Sequence, residues 1–145
     1  MKKTILTVCI TISSLNVQAG TAVIPAFYTL DKAGQSCFTI SNISNENASV
    51  SVKLYGKDGS ISDYGFVSRS IIPSLNTPFV LESRKTAYFC VTSGGKLSPG
   101  HGVIESQPQE GSSGQVFLVA NGFYENYTKD YTLSFNIPVN NGMPF

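Results

Sequence analysis

The chain has no tryptophan, a single histidine and two methionines in 145 residues, and only 13% of it is charged. Each scarcity removes a class of function. A serine hydrolase needs a histidine base, an activated serine and an orienting acid. His101 is the one residue able to be that base, and no Gly-x-Ser-x-Gly elbow accompanies it. Its setting, Ser98-Pro99-Gly100-His101-Gly102, reads as a loop histidine at the start of a strand. One histidine and two bridged cysteines cannot complete a structural zinc site. No basic excess points to nucleic acid or to an anionic lipid surface. No apolar run reaches the ~20 residues of a bilayer-spanning helix. There is no internal repeat, no low-complexity tract, no cofactor motif and no segment with a helical 3.6-residue period.

Asp58-Gly59-Ser60-Ile61-Ser62 comes nearest to a cation loop. A calcium loop needs glycine sixth and a bidentate glutamate twelfth, and those places hold Asp63 and Arg69. The segment reads instead as a hairpin turn, since Asp-Gly supports positive φ.

Cysteine is scarce too, and here the scarcity is informative. Of three cysteines, Cys9 lies in a leader: Met1-Lys2-Lys3, a short apolar run, then Val17-Gln18-Ala19. That pattern predicts a secretory signal peptide over residues 1–19, leaving residues 20–145 as one domain. Its removal lowers the basic count from 10 to 8 against 9 acidic residues, a net charge of about −1. Export carries the chain to periplasm, cell surface or medium, where thiols oxidise. Cys37 and Cys90 then remain as a pair.

Both sit in alternating segments, Ser36-Cys37-Phe38-Thr39-Ile40-Ser41 and Thr86-Ala87-Tyr88-Phe89-Cys90-Val91. Strand side chains alternate faces. Phe38 and Ile40 share one face with Ala87, Phe89 and Val91, and both cysteines fall on the other. The parity predicts a disulfide between adjacent strands of one sheet, on its outer side.

The remaining chain is a succession of short strands. Residues 20–30 form a first strand that Pro25 marks as an edge or a bulge. Residues 42–47 are turn formers. Ala48, Val50, Val52 and Leu54 face a core, with Ser49, Ser51 and Lys53 toward water. Short strands follow at 65–67, 70–72 and 79–81, and residues 93–102 read as a glycine-rich loop. Val116-Phe117-Leu118-Val119-Ala120, apolar on both parities, reads as a central strand covered on both faces. Tyr131, Leu133, Phe135 and Ile137 supply the inward face of a last strand, and Asn140-Asn141-Gly142 closes the chain. The expectation is an all-β, two-layer antiparallel sandwich of seven to eight strands.

The order "VIPAF", "SCFTISNIS", "VSVKLYGKDG", "TAYFCV" and "NNGMPF" resembles small exported β-sandwich proteins of Gram-negative bacteria with an immunoglobulin-like or fibronectin-III-like core. The resemblance spans nearly all of residues 20–145 and implies adhesion, envelope assembly or surface display. The strand-C tryptophan of antibody domains has no counterpart here. In the sandwich order where strands B and E are neighbours, Cys37 and Cys90 would be adjacent.

For recognition, the segment 122–131 reads as an aromatic loop between two apolar strands, with Phe123, Tyr124 and Tyr127 as contacts. The expected function is an envelope or surface interaction module without catalysis, metal or cofactor, binding a protein or surface glycan. The alternatives are a subunit of a pilus or secretion apparatus, pairing through the first strand or the strand near Phe79, and a small outer-membrane barrel ending at Phe145.

Overall fold

In a computed structural model, residues 19–30, 34–92, 97–127 and 132–145 are described. The leader up to residue 18, residues 31–33, 93–96 and 128–130, and Tyr131 lie outside them.

Among the described residues nine strands form two antiparallel sheets. The first runs in the order β1 (Gly20–Thr29), β7 (Ser98–Pro108), β3 (Ala48–Gly56) and β5 (Phe79–Leu81). The second runs β4 (Gly65–Ser70), β6 (Thr86–Thr92), β2 (Gly34–Asn42), β8 (Leu118–Tyr127) and β9 (Thr132–Ile137). Every connection from β1 to β8 changes sheet, and only β8 and β9 are successive strands joined in a ladder. The core lies between the layers. Ile24, Val50, Val52, Leu54 and Ile104 come from the first sheet, and Phe38, Ile40, Phe89 and Leu118 from the second. Phe38 and Phe89 stand opposite one another, ring centroids 5.2 Å apart.

β1 carries the expected irregularity: its register on β7 shifts between Ile24 and Phe27, around Pro25, and it is an edge strand. β3 buries Ala48, Val50, Val52 and Leu54, as its alternation requires. Asn42, at the end of β2, is 2% exposed. Its amide donates to the carbonyls of Glu46 (2.7 Å) and Leu81 (3.0 Å), and its oxygen accepts from the Ser44 amide (3.0 Å). One side chain thus ties the β2–β3 corner to the end of β5.

Four expectations are corrected. The glycine-rich loop over 93–102 gives way at Ser98 to β7, eleven residues long, with His101 well inside it. Gly100 and Gly102 are strand residues whose missing side chains make room for the core. A Cβ at Gly100 would stand 2.6 Å from Phe27 Cε1, and one at Gly102 would stand 2.6 Å from Leu54 Cδ2. The two short strands at 65–67 and 70–72 are a single strand, β4, ended by Ile71 at φ 69°. There the Ile72 amide donates to Ser70 O at 2.8 Å, reversing the chain within three residues. Finally, 116–120 is not covered on both faces. Val116, Leu118 and Ala120 are buried, but Phe117 is exposed and Val119 only half-buried. The described residues hold nine strands where seven or eight were expected.

After β9 the chain turns through Asn140, Asn141 and Gly142, all at positive φ (48°, 52° and 73°). Asparagine and glycine are the residues that enter this region at least cost. Phe145 then exchanges backbone hydrogen bonds with Leu118 at 2.8 and 3.0 Å. Among the described residues each of the four edge strands has one laddered neighbour, so both sheets are open. The outer-membrane barrel considered from the sequence requires a closed one.

Candidate interaction surface

Cys37 and Cys90 are directly opposite one another on β2 and β6 and form the disulfide, closing a span of 53 residues. The chain-entropy model gives such a closure roughly 4 kcal/mol. The bridge is on the outward parity of the second sheet, as the alternation predicts, yet both cysteines are fully buried. The register flanks them with Ser68 on β4 and Phe123 on β8, and the Tyr88 hydroxyl donates to Cys90 Sγ at 2.7 Å.

The three recognition residues are not in a loop. Phe123, Tyr124 and Tyr127 all belong to β8, which runs unbroken from Leu118. Strand parity separates them. Tyr124 turns inward and is 6% exposed. Its hydroxyl accepts from Asn126 Nδ2 at 3.1 Å, and its ring stacks on Phe135 at 4.9 Å and meets Tyr28 edge-on at 6.1 Å. It is a packing residue. Phe123 and Tyr127 point outward, half-buried and exposed respectively, with Glu125 between them. Gly122 is a strand position beneath the Phe38 ring: a Cβ there would lie 2.5 Å from Phe38 Cδ1.

The structure gathers other groups around Phe123 and Tyr127 that the sequence reading passed over. Gln35 is opposite Glu125 on β2, and its amide donates to the Glu125 carboxylate. The neighbouring Glu125 carboxylate holds the Tyr127 phenol above its usual range, since it favours the protonated hydroxyl and repels the phenolate. Along the outward positions of β2, β6, β8 and β9, Glu125 is the one charged side chain. The rest are Ser, Thr, Asn, Gln, Val119, the buried bridge and the rings of Tyr88, Phe123 and Tyr127. Aromatic bodies with polar tips on a nearly neutral, hydroxyl-rich sheet offer contact area to a protein or a sugar ring without charge selection.

The outer face of the first sheet is different. His101 lies flat on Tyr55, centroids 5.0 Å apart and planes 11° off parallel, and is exposed. Lys53 Nζ is 2.8 Å from Glu105, which also accepts from the Ser51 hydroxyl at 3.1 Å. The Lys53 bond and the Ser51 hydroxyl hold the Glu105 carboxyl below its usual range, and Glu105 in turn raises Lys53. A polar cleft of about 310 Å³ opens beside them, bounded by Thr21, Ser49, Ser51, Pro78 and Gln107. Asp58 accepts from the amide (3.1 Å) and hydroxyl (2.7 Å) of Ser60, the self-bonding of a turn. Among the described residues no three His, Cys, Asp or Glu side chains converge to hold a metal.

One further surface lies at the end of the five-stranded sheet. Leu133 and Phe135 have the inward parity expected of them, but they are 51% and 42% exposed. The second sheet has one strand more than the first, and its edge β9 is left partly uncovered. Of the apolar residues expected inward on this strand and described, only Ile137 is buried.

Comparison of the chain with protein-family models, with curated proteins and with solved structures finds no match.

Proposed function

We propose that this chain is an exported, non-catalytic β-sandwich protein of the bacterial envelope or cell surface, and that it binds a protein or surface glycan through the outer face of its five-stranded sheet. The observation that carries the reading is the outward row of β8, Phe123 and Tyr127 on either side of Glu125, beside Tyr88 and over the buried bridge. Export is supported by the leader pattern and by a disulfide that an oxidising compartment would maintain. The immunoglobulin-like character belongs to the same proposal. It is supported by the adjacency of the two cysteine strands, while the sheet-changing connections depart from a constant domain, where A–B, D–E and F–G each stay in one sheet.

The test is site-specific photocrosslinking in the producing cells. A benzoylphenylalanine at position 127 captures a discrete partner, and one at position 101, on the opposite face, does not. Tyr127→Ala and Phe123→Ala weaken capture with little change in melting temperature, because both side chains stand outside the core. Tyr124→Ala instead destabilises the fold, by about 3 kcal/mol for a buried ring. Equal crosslinking from both faces, or a wild-type protein that stays in the cytosol with its leader attached, overturns the proposal.

A second reading, a subunit of a pilus or secretion assembly, draws on a different observation, the exposed side chains of β9. The strands named for pairing from the sequence, the first and that near Phe79, are respectively bulged and three residues long.

A further inference from the structure

An edge strand presents a row of unpaired amides and carbonyls, and proteins guard such rows with prolines, bulges, charges or shortness. Three of the four edges here are guarded. β1 has Pro25 and a register shift, β4 has a register shift and exposed Arg69, and β5 has three residues. β9 has none of these devices. Thr132-Leu133-Ser134-Phe135-Asn136-Ile137 contains no charge, proline or glycine, and it follows β8 for six residues without a shift. It is also where inward-pointing apolar side chains are left half-exposed.

We infer that β9 is a self-association edge: a second copy of this chain pairs its own β9 antiparallel to the first, across a two-fold axis perpendicular to the sheet. The occupant follows from the sequence of the edge. An antiparallel two-fold pairing that keeps the faces of both sheets aligned must match residues of like parity. With the axis at Ser134, Leu133 stands opposite Phe135 of the second copy, Thr132 opposite Asn136, and Ser134 opposite itself. Each apolar residue meets an apolar one, each polar residue a polar one, and no like charges face each other. Five paired residues and two half-exposed side chains per copy make a small contact beside the ~1,600 Å² of a standard interface. The dimer is therefore concentration-dependent. The inference does not depend on the ligand face proposed above.

Sedimentation velocity of the protein, produced with its own leader and with its bridge intact, tests this. Wild type shifts from monomer to dimer as concentration rises. Ser134→Lys and Ser134→Glu each place like charges opposite one another at the axis and weaken the dimer by roughly fivefold or more. An equimolar mixture of the two restores it, with one copy of each. Ser134 is exposed, so both variants keep the wild-type circular-dichroism spectrum. Amide exchange on wild type gives a readout free of any substitution: alternate β9 amides gain protection at high concentration. A wild type that is monomeric throughout, a dimer indifferent to Ser134→Lys, or a mixture that fails to recover overturns the inference.

Discussion

Gly122 on β8 faces Phe38 on β2, and the side chain it lacks is the space the Phe38 ring occupies. The pairing puts a large ring at the centre of the second sheet without displacing either strand. A methyl group at position 122 would stand 2.5 Å from Phe38 Cδ1, inside van der Waals contact. Gly122→Ala is expected to destabilise by about 1–3 kcal/mol, as overpacked cores do. Gly65→Ala, at the exposed start of β4 where nothing lies within 4 Å, serves as the control and stays within about 0.5 kcal/mol of wild type. Urea denaturation of both variants measures the difference.

The Cys37–Cys90 bridge joins strands that are adjacent in the sheet but separated by 53 residues of chain. Mass mapping without reduction should yield the linked peptides and no free thiol at either position. Replacing both cysteines by alanine is expected to cost about 2–5 kcal/mol. A bridge-free protein as stable as wild type would show that the packing of β2 on β6 suffices alone.

Glu105 and Lys53 give a pH dependence of definite sign. The Glu105 carboxyl is held below its ordinary value of 4.5, so its contribution is present above that value and disappears as the pH falls through the lower, folded one. Lys53 is raised from 10.5, and its contribution is lost only as the pH climbs through its folded value. Between those limits wild type should melt slightly above Glu105→Gln. The gap should close as the pH falls through the folded value of Glu105, below which both carry an uncharged group at position 105. The effect is small because both side chains are largely solvated.

What the sequence disclosed and what it concealed differ by residue type. Alternation in β2, β3 and β6 named the buried residues and the parity of the bridge, because each strand has one face in the core and one outside. Pro25 announced the bulge in β1. Glycine misled. In 93–102 it reads as loop, but Gly100 and Gly102 are inward strand positions opposite Phe27 and Leu54, as Gly122 is opposite Phe38, and only the assembled core shows the need for a missing side chain. The cluster of rings between two apolar runs put Phe123, Tyr124 and Tyr127 on one loop, when a strand continuous through them sends Tyr124 to the other face. The residues around 42–47 were legible as a corner, but not the clasp Asn42 makes with Leu81, which depends on a segment far along the chain.

The sheet-changing connections also bear on how quickly the native state is found. Apart from the β8–β9 pair, every ladder joins strands that are not successive in the sequence. Local hairpins can therefore nucleate almost none of the two sheets, and most pairings must wait until long stretches of polypeptide have closed on themselves. Chains of this kind reach the native state in milliseconds to seconds, slower than helical bundles of similar length. Cys37 and Cys90 come face to face only once β2 and β6 have paired across 53 residues of chain, so the bridge secures a contact that local folding does not bring about.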